Sequence, residues 1–411
     1  MHLTAEEREI AAGADAQAMA MRIVADAGRL LGADRLIPIA SSHIDGALYH
    51  GDSGTEFAER LVAGGATVAV PTTLNVGSLD LHHPGVVRLA GHPREMALRL
   101  MQAYEAMGCA RTWTCAPYQA GHRPIVGTDV AWGESNAVAF CNSVLGARTN
   151  RYGDFMDIAC ALVARAPNYG LHLPENRRAS IVVDVSGLSP ELRAMDAFYP
   201  VLGSWFGRTV GTEIGAVVGL QGFTSEDKLK AFGAAAASSG AVGLFHIVGV
   251  TPEAPTLEAI ADNPRMIRVD AAMIREARAK LSTASGSQVD AVAVGSPHFS
   301  VDEFRDLHRL LNGRKLRMPF YANTGRHAVK ALEAVGLYQP LKDQGIEFVV
   351  DTCVVVTPIL KEMDGVLITN SGKFAHYATG NTGYGVQYGS LSDCVETAVA
   401  GRLVRDEASW S

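Results

Sequence analysis

The residues best suited to chemistry gather in two stretches of the 411-residue chain. In the first, from Cys109 to Arg151, Cys115 and Pro117 bracket a tight loop, and His122 and Arg123 follow it. Glu134, Ser135 and Asn136 then precede an expected helix, with Ser135 or Asn136 as its cap and backbone N–H groups that suit a carboxylate. The second stretch is C-terminal. Cys353 ends a strand-like run, while Asn370, Ser371, Gly372, Lys373 and His376 form a compact polar turn. A Gly-rich loop then leads to a helix carrying Cys394, with Ser390 and Asp393 placed to cap it.

Thiolates are soft donors, and three of them can hold an iron–sulfur cluster while leaving one iron open to substrate. Cys115, Cys353 and Cys394 have the residue type for this, yet each also suits ordinary packing as a neutral thiol. Arg148 and Arg151 fit a substrate carboxylate, but also an internal carboxylate or a solvated surface. Spacing leaves these alternatives open, because no compact CxxC pair, Walker loop, dinucleotide fingerprint, HExxH or GxSxG motif is present.

The elements that must position these groups alternate between short apolar runs and helical periods. LIPIA at 36–40, TVAVP at 67–71, VVDV at 182–185, GAVVGL at 215–220, VGLFHIVGV at 242–250, VDAVAVG at 289–295 and IEFVVD at 346–351 read as strands. Helices are expected at 225–237, 263–281, 301–311 and 325–336, and Thr4 with Glu7 forms a capping-box pattern before an N-terminal helix. The alternation predicts an α/β fold with mixed or parallel sheets covered by helices. Cuts near 176 and 290 give an N-terminal region 1–176, a middle domain 177–290 and a C-terminal region 291–411.

With 48% hydrophobic and 19% charged residues, the chain can bury a large interior. A net charge of -7 without long runs of one sign argues against a nucleic-acid scaffold. The N-terminus lacks a secretory pattern, no apolar run is long enough for a membrane span, and six cysteines are too sparse for a disulfide-stapled scaffold. A reducing cytoplasm is the expected setting.

Taken together, SSHIDG at 41–46, GDSG at 51–54, TCAPY at 114–118, the GESNAVAF to NRYGD region at 133–154, GSPHFS at 295–300, DTC at 351–353, TNSGKFAHY at 369–377 and GSLSDC at 389–394 resemble the catalytic large chain of the aconitase X family. The resemblance implies aconitase-like catalytic domains without the small swivelling domain, which a separate small subunit would supply. It also implies an iron–sulfur cluster on Cys115, Cys353 and Cys394, and a hydro-lyase reaction. Ser53, Asn136, Arg148, Arg151, His43 and His298 become substrate-binding candidates, and Lys373, Glu134 and Ser371 become catalytic ones. The family's activities make dehydration of cis-3-hydroxy-L-proline to Δ1-pyrroline-2-carboxylate the expected reaction. Dehydration of mevalonate 5-phosphate and a non-catalytic iron–sulfur regulatory role are the alternatives.

Overall fold

A computed structural model describes residues 1–360 and 365–410, which divide into two compact units. The first contains residues 1–79 and 89–178; the second contains 80–88 and 179–411. The sequence-based region 1–176 thus included a short segment that packs with the other unit. Asp80 explains the attachment, since its carboxylate accepts the Val350 N–H at 2.9 Å, and Tyr338 OH lies 3.0 Å from His83 Nε2.

In the first unit, β2 (Ser42–Ile44) is flanked by β3 (Thr72–Leu74) and β4 (Ala131–Trp132) in parallel. A separate antiparallel pair joins β1 (Leu36–Pro38) to β5 (Arg165–Pro167). The helix Ala16–Leu30 packs on the apolar helix Met156–Val163, and the helix Ala5–Ala12 has the expected Thr4/Glu7 capping box. No strand forms over 67–71. The Val68 and Ala69 N–H groups bond the carbonyls of Met107 and Ala161 instead, and strand pairing starts at Thr72.

The second unit holds two parallel sheets. One has the order β8-β7-β6-β9, made by β6 (Ala179–Asp184), β7 (Gly215–Val218), β8 (Phe245–Ile247) and β9 (Ala261–Arg268). The other has the order β12-β11-β10-β13-β14, from β10 (Ala291–Val294), β11 (Phe320–Thr324), β12 (Ile346–Val350), β13 (Val366–Thr369) and β14 (Gly385–Tyr388). Their central strands are buried on both faces, which is why they read as continuous apolar runs.

The helix expected over 263–281 divides. Residues 261–268 form β9, and only Ala271–Ala279 is helical. An edge position removes the conflict with Pro264, because a proline that cannot donate is tolerated where one side of the strand has no neighbour.

Candidate active site

Side chains of β2, β3, β4 and the loop before β4 form a polar cluster in the first unit. The Thr73 hydroxyl lies 2.8 Å from His43 Nδ1 and 2.7 Å from His122 Nδ1. Both imidazoles lean on Trp132, with ring centroids 5.6 and 4.8 Å away. Burial pushes the His43 pKa well below its usual value and that of His122 down to about 4, so both rings are neutral at neutral pH.

In the same unit, Asp157 accepts the Asp45 and Ile158 N–H groups, each at 2.6 Å. Burial pushes its pKa up to about 8 despite those bonds. Asn75 donates to the Asp45 carboxylate, fixing the loop that follows β2. Gly133 allows that loop to pass, since a Cβ there would lie 2.8 Å from the Asp45 nitrogen.

Cys115 sits in the loop entered through the Thr114 N–H bond to the Leu74 carbonyl. Asn136 donates to the Cys115 carbonyl at 3.0 Å and to the Tyr118 hydroxyl at 3.2 Å. The helix cap is Glu134, not Ser135 or Asn136: its carboxylate accepts the Ala137 N–H at 2.7 Å, which frees Asn136 to reach the Cys115 loop from inside the helix Ser135–Phe140. Among the described residues, buried polar atoms without a partner include His43 Nε2, His122 Nε2, Asn75 Oδ1, Asn136 Oδ1 and Arg148 Nε in this unit. Groups left so in a folded interior are ones that a water or a polar ligand can satisfy. Ser53 and Arg151 are both exposed.

In the second unit, β10 has β11 on one side and β13 on the other, so the chain switches direction across the sheet between β10 and β13. Ligands of parallel α/β sheets bind outside the strand ends at such a point. Ser371, Lys373 and His298 lie there. The Ser371 hydroxyl donates to the Ser296 carbonyl and accepts the Phe374 N–H at 3.1 Å, capping the helix Gly372–Thr382. His298 is fully buried, with Nε2 3.1 Å from the Thr352 carbonyl oxygen. Burial pushes its pKa down to about 3, and the nearby charges of Lys373 and Lys230 act in the same direction.

Sequence reasoning did not identify the buried Lys230, whose ammonium meets Glu303 and lies 2.8 Å from Asp227. Burial opposes its charge, but the two carboxylates outweigh burial and raise its pKa. Ser300 supports both acids, donating its hydroxyl to Asp227 at 2.7 Å and its N–H to Glu303 at 2.9 Å. Only GSPHFS pointed toward this region; a lysine in an Ala-rich helix carries no local mark of burial.

The three cysteines of the expected trio lie in different surroundings. Cys115 and Cys353 are buried loop thiols, the latter two residues after Asp351, which is held by Arg326 at 2.9 and 2.6 Å. Cys394 instead belongs to the hydrophobic core with Val292, Ile368 and Val395, where burial raises its pKa well above the usual thiol value. These apolar surroundings set it apart from the two loop thiols. The helix holding it does have the expected Ser390/Asp393 capping box. Among the described residues, no group of three or more His, Cys, Asp or Glu side chains is arranged to hold a metal ion.

The sequence matches the first domain of aconitase X over residues 1–175, its second domain over 179–279 and its third over 289–400. It is 43% identical to a cis-3-hydroxy-L-proline dehydratase of Pseudomonas aeruginosa, over 99% of this chain and 72% of that one. The corresponding enzyme of Hypocrea jecorina is 40% identical, over 98% and 69%. A phosphomevalonate dehydratase large subunit of Thermococcus kodakarensis is 37% identical, over 97% of this chain and all (100%) of that one. The crystal structure of Thermococcus kodakaraensis aconitase X in its holo-form superposes with a TM-score of 0.87 at 34% identity, covering 97% of this chain and 100% of that one.

Proposed function

Because the chain belongs to the aconitase X family, whose curated relatives are dehydratases, we propose that it dehydrates cis-3-hydroxy-L-proline to Δ1-pyrroline-2-carboxylate. The observation that carries this choice is the 43% identity to the Pseudomonas aeruginosa dehydratase over 99% of the chain. In the reaction a base removes the proton from Cα, the C3 hydroxyl departs as water, and the enamine formed tautomerises to the cyclic imine.

Asn136 Oδ1 and Arg148 are assigned to substrate recognition, being polar groups of the first unit with buried atoms that have no protein partner. His43 is placed with them, and His298 is assigned beside the switch-point loops. Lys373, half-buried in the first turn of its helix, is assigned to proton transfer. Ser371 holds that turn. One carboxylate oxygen of Glu134 serves as a helix cap, so its assigned part is to position Asn136. Ser53 and Arg151, both exposed, are kept for the carboxylate of an incoming substrate.

The cofactor is proposed to be an iron–sulfur cluster, with Cys115 and Cys353 retained as thiolate donors and Cys394 withdrawn. The partner is proposed to be a small swivelling-domain subunit, as the name of the Thermococcus relative suggests for that protein. No helix among the described residues is long and apolar enough to cross a membrane, and a cytoplasmic location is part of the proposal. The reconstituted enzyme should be assayed anaerobically with its small subunit on both acids, with iron and sulfide measured. Turnover of hydroxyproline supports the reading. Preference for mevalonate 5-phosphate transfers it to the second reading, which full coverage of the Thermococcus large subunit favours.

A further inference from the structure

The Thr73 hydroxyl has two imidazole neighbours and one hydrogen. Its contacts at 2.8 Å to His43 Nδ1 and 2.7 Å to His122 Nδ1 are both of hydrogen-bonding length. Thr73 cannot donate to both rings, so at least one Nδ1 must carry a hydrogen and donate to the hydroxyl. Were both to donate, the hydroxyl hydrogen would have no acceptor in a buried position, which costs about 1–3 kcal/mol. The arrangement that satisfies every group has Thr73 donating to one imidazole and accepting from the other.

A neutral imidazole carries one N–H, so the state of Nδ1 dictates that of Nε2. The ring that accepts from Thr73 has Nε2–H; the ring that donates to Thr73 has a bare Nε2. Both Nε2 atoms are buried and without a protein partner. We propose that Thr73 couples His43 and His122 into a complementary donor–acceptor pair, which presents one Nε2–H and one Nε2 lone pair to an oxygen-bearing substrate.

The pair can pass a proton without either ring retaining charge. If His122 has the bare Nε2, it takes the substrate proton there and releases its Nδ1 proton to Thr73. Thr73 passes its own hydroxyl proton to His43 Nδ1, and His43 gives its Nε2 proton to the departing hydroxide. The C–H electron pair becomes the new double bond, the C–O pair leaves with oxygen, and one water forms. The two rings end with exchanged tautomers, and proton exchange with water resets them. Burial disfavours an imidazolium at either position, so a relay that avoids one suits this environment better than a single histidine base.

Use of the pair in catalysis rests on the hydro-lyase reading above, whereas the pairing itself does not. The test is 15N NMR of the histidine-labelled full chain near neutral pH, with His43→Gln and His122→Gln used to assign the two rings. One ring should show protonated Nδ1 and the other protonated Nε2. Thr73→Val should remove this complementarity and Thr73→Ser restore it. In the two-chain enzyme, Thr73→Val should lower kcat by roughly 10²–10⁴-fold, with KM less affected, and Thr73→Ser should recover most of the rate. Protonated Nδ1 on both wild-type rings, or an imidazolium on either, overturns the pairing. Complementary tautomers with unchanged kcat in Thr73→Val overturn its catalytic use. Complementary tautomers in an enzyme inactive on both acids leave the pairing intact and count against the proposed function.

Discussion

The hydroxyl of Ser371, in the loop after β13, donates its hydrogen to the carbonyl of Ser296, in the loop after β10. The two loops flank the place where chain direction switches across the five-stranded sheet. Both bonding capacities of this serine that matter locally are used: it ties the loops together and caps the helix that carries Lys373. Its assigned importance for activity therefore runs through position.

Ser371→Ala removes the cap and the tie together. A stability loss of about 1–2 kcal/mol is expected from the cap alone, read as a lower midpoint in urea. Ser371→Thr should retain most of that stability, and an equally large loss in Thr would remove the capping explanation.

Separate replacement of the cysteines should divide them into two classes. Cys115→Ser and Cys353→Ser are expected to lose iron and sulfide after anaerobic reconstitution. Cys394→Ala should keep both while losing on the order of 1 kcal/mol of stability, because only apolar contact is removed. Loss of the cluster in Cys394→Ala, with the fold intact by circular dichroism, would falsify its placement in the packing class.

Lys230→Met leaves Asp227 and Glu303 without the ammonium between them. Breaking one side of a buried ionic network costs about 3–5 kcal/mol, so thermal unfolding should move down sharply. The triple variant in which Asp227→Asn and Glu303→Gln accompany Lys230→Met should recover part of this loss. Failure of the neutral amides to help would show that the lysine matters through its packing.

Asp157 gives a pH prediction with a definite sign. Its pKa is about 8 in the fold against 3.8 for an unperturbed aspartate, so the native protein binds a proton that the unfolded chain has released. This contribution is fully present below about pH 4 and is lost as pH rises through about 8. Its slope is at most about 1.4 kcal/mol per pH unit. Asp157→Asn keeps an acceptor for the Asp45 N–H and cannot ionise, so urea midpoints measured from pH 5 to 8 should fall less steeply than in wild type. Parallel curves would place the titrating group elsewhere.

Much of what is local was legible in the sequence. Thr4 with Glu7 and Ser390 with Asp393 are capping boxes in the structure as in the sequence, because a cap depends on residues three apart. The apolar runs at 215–220, 242–250, 289–295 and 346–351 each contain a parallel strand and the run at 182–185 overlaps one, because burial on two faces demands such composition. The family-like motifs likewise identified aconitase X. Local pattern failed where pairing with a distant partner prevailed, as when β6 drew residues 261–268 into an edge strand.

Tertiary structure alone decided which polar groups are used by the fold and which remain for chemistry. Cys394 and Cys353 are equal ligand candidates by residue type, yet Cys394 lies in the apolar core and Cys353 in a loop at a strand end. Thr73 gave no sequence signal, but the parallel register of β2 and β3 sets it opposite His43 across the sheet. Lys230 and Glu303, separated by 73 positions, meet only through packing. A residue's type fixes how many protons it can give or accept. Its hydrogen-bond partners and burial, both set by contacts distant in sequence, decide whether any of that capacity is left for a substrate.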